Sequence, residues 1–485
     1  MAQLPNFSRK TSGSSASLKT LCDASSAQQS WGDSEKGLSE LEDEIRAIKQ
    51  AERASTSTGS SLSDWTTLLG GFLSLVATGG IGNATGLVQT YWENNQLRDF
   101  SSRDIGWIAG TNICLSLFLP VLSGPVYDRY GPLWLMVGGS ASFVVGVFVM
   151  SFLNSPELPQ MTYGLLLLTW GIMGGAGNGL VATAVSGAVC QRFDKRRGLA
   201  NGIASGGNSV GGVVWPMMLR ETLNRWGWQW AVRLVGGIAL VLVALGCVLV
   251  RPPPQMVVTA KREAEIKKAE GRKEAKAKVL KRCVVEGAEC FKKADFVWMT
   301  TSLAIFQFTV MGVAGTLPSW GEGQGFDQTS LFNLVAVMNA AAAVGRIAVG
   351  ALSDTIGRFN TCVSIMTLSV VVMFGLFFNV GGMIWKFYVF AAFWGFVYGA
   401  VLMMISVLVR EQCNHEEFGR YLSACHVALS IAGLVCVPLS AQMLASFGPQ
   451  MDVVFFGSLC TVSLLFMILT RWAFLDYKWS WTSKV

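Results

Sequence analysis

A chain of 485 residues with 51% hydrophobic and only 14% charged residues lacks the polar surface of a soluble protein, which carries about a quarter of charged residues. The composition therefore excludes a series of water-soluble domains and predicts a protein covered mostly by lipid. The formal net charge of +7 does not indicate nucleic-acid binding, because the basic residues concentrate in short segments between long apolar runs, as they do in membrane proteins.

Residues 1–62 are polar, rich in Ser, Thr and Ala, and carry no apolar stretch near the start. We therefore expect a disordered cytoplasmic tail and no signal peptide. Within this tail Leu38, Leu41, Ile45 and Ile48 recur at helical spacing. A short amphipathic helix that docks on a partner or on the membrane and a transient helix without a role both fit this pattern.

Apolar runs long enough to span a bilayer, which takes about 20 residues, begin at Trp65. There are twelve, at 65–90, 105–127, 132–153, 162–190, 198–222, 230–250, 296–318, 329–352, 361–380, 384–409, 419–445 and 451–474. We therefore predict an all-α membrane protein with twelve transmembrane helices in two pseudo-symmetric six-helix bundles. The predicted domains are the bundles 63–250 and 295–475, a charged cytoplasmic central loop 251–294 and a cytoplasmic tail 476–485.

The distribution of Lys and Arg predicts the orientation in the membrane, because cytoplasmic loops carry an excess of both. The even-numbered connections hold most of the basic residues, namely Arg129, the cluster Arg192, Lys195, Arg196 and Arg197, the central loop, Arg358, Arg410 and Arg420. Both termini are therefore expected in the cytoplasm. The central loop fits either a solvated linker or a helix that docks on a partner or on anionic lipid.

A motif occurs twice, once in each half. Gly124, Asp128, Arg129 and Gly131 follow the second helix, and Gly350, Asp354, Gly357 and Arg358 follow the eighth, both reading G-x-x-x-D-x-x-G. Glycine permits close backbone approach and a left-handed turn, and an aspartate at a helix end can pair with a charge or a helix N-terminus of the neighbouring bundle. We interpret both copies as a cytoplasmic gating motif, because many secondary transporters are internally duplicated.

With this repeated motif, the region from about 64 to 475 resembles the major facilitator superfamily. The stretch from Arg192 to Gly206 and the Gly-Arg-x-x-x-Gly pattern around Arg346 are similar to the monocarboxylate porter family, especially its fungal branch. The resemblance implies a secondary active transporter that moves a small organic, carboxylate-type solute by alternating access, with protons as a coupling ion. Asn83 stands where animal members carry a lysine, and Ala342 where they carry an aspartate.

Polar residues inside apolar helices need partners and are candidates for the solute site. We select Asn83, Asn178, Arg346, Tyr398 and His426 as substrate-binding candidates. Arg346 fits either an anchor for a carboxylate or a structural arginine paired with the Asp354 loop or with backbone carbonyls. His426 fits either a protonation switch or a neutral packing residue.

Two glycine stripes repeat every four residues. They consist of Gly171, Gly175 and Gly179 in the fourth helix, and of Gly198, Gly202 and Gly206 in the fifth. Small-residue stripes let membrane helices pack closely. Static packing and a seam that slides during transport fit equally well, and in both cases the positions should not accept larger side chains.

Several functions remain as alternatives to carboxylate transport. Efflux of a hydrophobic metabolite or drug suits the sparse charge of the helices, and a non-transporting nutrient receptor or sensor would use the long tail. We predict no enzyme activity, no cofactor and no metal, since no catalytic or metal-ligating cluster and no nucleotide-binding motif is present. The expected partners are the solute and the bilayer, with no obligate protein partner, in the plasma membrane or, alternatively, the vacuolar membrane.

Overall fold

The computed structural model describes residues 62–153, 159–193, 196–252, 289–414 and 417–478. All regular secondary structure within these residues is helical. The predicted N-terminal tail up to residue 61, the central loop from 253 to 288 and the end of the C-terminal tail lie outside the described residues.

The first half contains six helices. Helix α1 (Leu62–Asn94) is interrupted near Thr78 and Asn83, and it is followed by α2 (Ser102–Tyr130), α3 (Pro132–Met150) and α4 (Pro159–Arg192), which includes a π-helical stretch. The next helical segment, Arg197–Leu249, has 53 residues, which would extend about 80 Å as one helix. It is divided at Gly227, whose φ of 71° is not helical, into α5 (197–226) and α6 (228–249).

The second half repeats this order. It contains α7 (Ala294–Gly323), α8 (Gln328–Ile356), α9 (Arg358–Phe377) and α10 (Ile384–Gln412). The segment Phe418–Phe474 is divided at Gly448, with a φ of 79°, into α11 (418–447) and α12 (449–474). The break between the fifth and sixth helices is thus made in the same way in both halves.

The prediction of an all-helical membrane fold is confirmed. Eleven described segments are long and apolar enough to cross a membrane, and one of them, Arg197–Leu249, is divided at Gly227 into α5 and α6. Large apolar side chains cover the outside of the bundle, as Trp134 (71% exposed) and Val248 (75% exposed) illustrate. Such exposure is expected where lipid, not water, contacts the helices.

The second glycine of each repeated motif ends a helix in a left-handed backbone conformation. Gly131 follows α2 with a φ of 77°, and Gly357 follows α8 with a φ of 107°. A side chain would be strained at these φ values. Pro132 and Arg358 then begin the next helices, so each motif turns the chain sharply between two spanning segments.

The two halves meet along two helix pairs, α5 with α8 and α2 with α11. In each pair the fifth helix of one half packs on the second helix of the other, so the pairs are equivalent with the halves exchanged. We call them the α5–α8 seam and the α2–α11 seam. Within each half, α1 packs on the segment that contains α5 and α6, and α7 packs on the segment that contains α11 and α12.

The two glycine stripes occupy different kinds of contact. The α4 stripe faces α2 inside the first half, where a Cβ on Gly175 would lie 2.5 Å from the carbonyl oxygen of Asn112. The α5 stripe lies in the α5–α8 seam, where a Cβ on Gly202 would overlap the carbonyl of Arg346. Gly206 differs from the expectation, because a Cβ there would meet Ile347 at an ordinary 3.8 Å.

We predict that Gly202→Ala destabilises the protein while Gly206→Ala does not. Overpacking at a tight backbone contact costs about 1–3 kcal/mol, whereas the methyl group at Gly206 has room. The measurement is the midpoint of thermal unfolding in detergent for the two variants. Equal midpoints would contradict the close approach of α5 and α8 at Gly202.

Candidate solute pathway and its latches

The first inter-half contact joins Asp354, at the end of α8, to the start of α5. Its Oδ1 accepts a hydrogen bond from the backbone N–H of Gly198 at 2.9 Å, and its Oδ2 accepts one from Leu199, also at 2.9 Å. The first N–H groups of a helix have no intrahelical partner and lie at the positive end of its dipole. The carboxylate therefore caps a helix that belongs to the other half.

The second contact is its counterpart in the other seam. The carboxylate of Asp128 accepts hydrogen bonds from the backbone N–H groups of Gly419 at 2.8 Å and Arg420 at 3.0 Å, at the start of α11. The sequence predicts that each motif aspartate pairs either with a charge or with a helix N-terminus of the other bundle. In the structure both aspartates bind the N–H groups of a helix N-terminus. We call these two contacts the latches, and the side of the bundle on which they lie the latch face.

The first glycine of each motif permits the latch geometry. A Cβ on Gly124 would overlap the carbonyl of Gly419, and a Cβ on Gly350 would overlap that of Gly198. The helices thus approach through glycine on both sides of each seam. The motif arginines differ, since Arg129 lies 5.6 Å from the ring of Tyr130 while Arg358 pairs with Glu411.

Glu411, near the end of α10, adds a third connection that the sequence analysis missed. Its carboxylate pairs with Arg197 of α5 at 2.6 Å and also with Arg358 of its own half. Arg197 is buried and also donates a hydrogen bond to the carbonyl of Cys190. The sequence does contain a signal for this contact, because Glu411 is an acid at the end of an apolar helix in a protein whose neighbouring loops are basic.

A polar cluster lies deeper in the bundle, where both halves contribute. The Asn83 amide of α1 donates a hydrogen bond to the carbonyl of Asn208 at 3.0 Å, and the Tyr398 hydroxyl of α10 donates one to Asn339 of α8 at 3.2 Å. Gly212 lies between them, since a Cβ there would be 2.8 Å from Asn83 and 3.0 Å from Asn339. These five residues form the central cluster, about 22 Å from the latch by the helical rise between Asn339 and Asp354.

Arg346 lies between this cluster and the latch, eight residues before Asp354 on α8. It is 7% exposed, and its Nη1 donates a hydrogen bond across the seam to the carbonyl of Ser205. Its Nε has no hydrogen-bond partner among the described residues, and Tyr398 lies close enough to interact with the guanidinium. A buried guanidinium with an unused donor offers a binding position for an anion.

The sequence-selected candidates therefore divide into two groups. Asn83 and Tyr398 belong to the central cluster, and Arg346 adjoins it. The amide of Asn178 instead faces the hydroxyl of Ser116 at 3.3 Å, between α4 and α2 of the first half. His426 contacts the carbonyl of Leu422 in its own helix at 2.9 Å.

The described residues hold no group of three His, Cys, Asp or Glu side chains suited to a metal ion. The polar groups of the pathway are amides, a phenol and a guanidinium. This set can bind and orient a solute by hydrogen bonds and charge.

Comparison with known proteins identifies similar chains. The family model described as Major Facilitator Superfamily matches residues 67–410. The agnestins efflux protein of Paecilomyces divaricatus is 29% identical over 406 residues, which cover 83% of this chain and 86% of that protein. The riboflavin transporter of Saccharomyces cerevisiae is 27% identical over 430 residues, which cover 86% of this chain and 79% of that protein.

A solved structure shows the same fold. The proton:xylose symporter of the major facilitator superfamily superposes with a TM-score of 0.66, covering 85% of this chain and 96% of that one. The sequence identity is 15%.

We predict that Asp354→Asn opens the latch face. Loss of a charged hydrogen-bond acceptor costs about 1.5–3 kcal/mol, so the open population should rise about tenfold or more. The readout is thiol labelling of Cys190, which is fully buried beside Arg197, located by mass spectrometry. Asp327→Asn is the matched control, because Asp327 caps the N-terminus of its own helix, α8, within one half. Equal labelling of the two variants would refute the latch.

We also predict that acidification strengthens the α2–α11 latch. Asp128 lies beyond the apolar span of α2. Burial raises the pKa of its carboxyl to about 7, and the charge of Glu417 also raises it. The hydrogen bonds from the Gly419 and Arg420 amides and the charge of Arg420 lower this pKa but do not cancel the effect of burial. An Asp128 carboxyl exposed to water in an open state would have its ordinary, lower pKa. The latched state therefore binds the proton more tightly.

Lowering the pH from about 8 to about 6 should therefore favour the latched state, by up to about tenfold per pH unit below 7. The measurement is the pH dependence of Cys190 labelling, corrected for the reactivity of a free thiol. Asp128→Asn should remove this dependence. A variant that retained it would show that another group titrates.

Proposed function

Since this chain belongs to the Major Facilitator Superfamily and is a multi-pass membrane transporter, we propose that it moves a small organic anion of the carboxylate type by alternating access. In this proposal the solute binds between the two halves, at the central cluster and Arg346. The monocarboxylate porter resemblance supports the same class of solute.

Arg346 is the observation that carries the proposal. It is buried, lies in the seam between the halves, and has a donor without a described partner. A cation held inside a membrane protein is costly unless it serves a partner or a ligand. A carboxylate could bind the free Nε and the adjacent Tyr398 hydroxyl while Asn339 and Asn83 orient the rest of the solute.

The latches supply the gate in this proposal. Both are formed in the described conformation, so the latch face is closed and the solute would exchange from the opposite face. Breaking the two aspartate contacts and the Glu411–Arg197 pair would let the halves rock apart. Following the distribution of Lys and Arg, we assign the latch face to the cytoplasm, with both termini on that side, and the protein to the plasma membrane.

Efflux of a hydrophobic metabolite is the second candidate. It is favoured by the similarity to the agnestins efflux protein, and the neutral amides of the central cluster would suit an uncharged solute. The two candidates differ in what Arg346 does. It contacts the solute in the first and only the carbonyl of Ser205 in the second.

We predict that Arg346→Gln reduces transport of an organic anion about thirtyfold or more, because loss of a buried charged partner costs roughly 2–5 kcal/mol. The assay is flux of radiolabelled lactate, succinate and benzoate in reconstituted vesicles. Arg233→Gln is the control, since Arg233 lies over the rings of Phe152 and Trp230 at 4.9 and 5.3 Å, away from the pathway.

Full anion flux in Arg346→Gln would show that Arg346 does not bind the solute. Loss of anion flux in the Arg233→Gln control as well would show a general effect of charge removal. If wild-type vesicles carry none of the three anions but export a neutral aromatic probe, and Arg346→Gln does the same, the efflux candidate replaces the first.

A further inference from the structure

Asp452 is a buried acid that the transport pathway does not use. It lies in the first turn of α12 and is 1% exposed. Neither carboxyl oxygen has a hydrogen-bond partner among the described residues, and the described part of the chain contains no ion pair to it. Burial of an ionised carboxylate without such partners costs several kcal/mol or more, and the group usually becomes neutral instead. The position therefore favours the carboxylic acid.

The neighbouring side chain can accept a hydrogen bond from a protonated carboxyl. Thr316 of α7, itself 3% exposed, lies beside the Asp452 carboxyl. Its hydroxyl donates a hydrogen bond to the carbonyl of Gly312 at 3.1 Å. The Thr316 oxygen is thereby left as an acceptor, and a protonated carboxyl is the donor that it lacks.

None of the ion pairs in the described part of the chain involves Asp452. At about 1.5 Å per residue, Asp295 of α7 and Arg471 of α12 are each about 30 Å away along their helices. The latch face holds the charged groups of three further helices, namely Arg420 of α11, Arg358 of α9, and Arg410 and Glu411 of α10. The ring of His426 forms a hydrogen bond within its own helix. Lys386, at the start of α10, donates a hydrogen bond to the carbonyl of Asn379. Glu322, whose side chain is not among those described, follows Thr316 by six positions. No described cation is therefore placed to stabilise an ionised Asp452.

The segment of α7 that faces Asp452 can bend. Pro318 has no backbone N–H, so the carbonyl of Ala314 loses its intrahelical donor. Gly312 and Gly315 in the same stretch reduce the resistance to bending, and such positions are where helices kink. A bend at Pro318 would move Thr316 relative to α12 and admit water to the carboxyl.

We propose that Asp452 is a proton-binding site, protonated in the described conformation, which releases its proton when α7 bends away from α12. In the release step the O–H bond of the carboxyl breaks, the electron pair stays on the carboxylate oxygen, and the proton passes to water that enters between the helices. The site rests on the proposed function in one respect, since the release would couple proton movement to alternating access.

Infrared spectroscopy of the purified full-length protein tests the bound proton without any transport assay. A protonated buried carboxyl has a C=O stretch separate from the bands of a carboxylate. We expect this band at neutral pH in the wild type, its loss in Asp452→Asn, and its retention in Glu322→Gln. Thr316→Val should shift the band without removing it, because it deletes the hydrogen-bond acceptor only. The spectrum of Asp452→Asn is subtracted from that of the wild type. Carboxylate bands in this difference spectrum, in place of the C=O stretch of a protonated carboxyl, would overturn the proposal.

Reconstituted vesicles test the coupling, with radiolabelled lactate as the probe. Asp452→Asn, which preserves the size of the side chain, should retain downhill flux and lose its stimulation by a proton gradient, so that the ratio of fluxes with and without the gradient falls to about one. The same ratio in wild type and variant, or no stimulation of the wild type, would overturn the coupling. Absence of all lactate flux in the wild type would count against the proposed function, and the infrared result would still decide the proton site.

Discussion

The structure depends on two carboxylates that each cap a helix of the opposite half. Asp354 bonds the start of α5, and Asp128 bonds the start of α11. Each contact supplies acceptors to N–H groups at a helix N-terminus that have no partner within their own helix. Gly124 and Gly350 make these contacts possible, because without a side chain the two helices can approach until their backbones touch.

The two seams share a backbone plan and differ in the side chains along it. Ser205 follows Gly198 by seven residues, and His426 follows Gly419 by seven. On the partner helices, Arg346 precedes Asp354 by eight residues, and Pro120 precedes Asp128 by eight. The repeated glycines and aspartates give the two seams the same closing geometry. At the position eight residues before the aspartate, the α5–α8 seam has a guanidinium and the α2–α11 seam has a proline. The proposed anion site therefore lies off the pseudo-symmetry axis, toward α8.

The charges inside the bundle fall into two classes. Arg197 is paired with Glu411, and its cost of burial is offset by that contact. Arg346 and Asp452 have polar atoms without described partners, so their burial is only partly offset within the described protein. Ionisable groups of this second kind inside membrane proteins commonly serve ligands or protons. The two proposed sites, for an anion and for a proton, rest on this distinction.

The sequence alone determined the helices and the duplicated motif, because apolar length and G-x-x-x-D-x-x-G are local properties that a bilayer and a tight turn impose directly. It also selected Asn83, Arg346 and Tyr398, since a polar residue inside an apolar run is visible without coordinates. Only the tertiary structure decided that Asn178 faces α2, that the α5 stripe and not the α4 stripe lies between the halves, and that Gly206 has room for a methyl group. Glu411 and Asp452 were missed, because the partner of a side chain depends on how each helix is rotated and packed, which hydrophobicity along one chain does not encode.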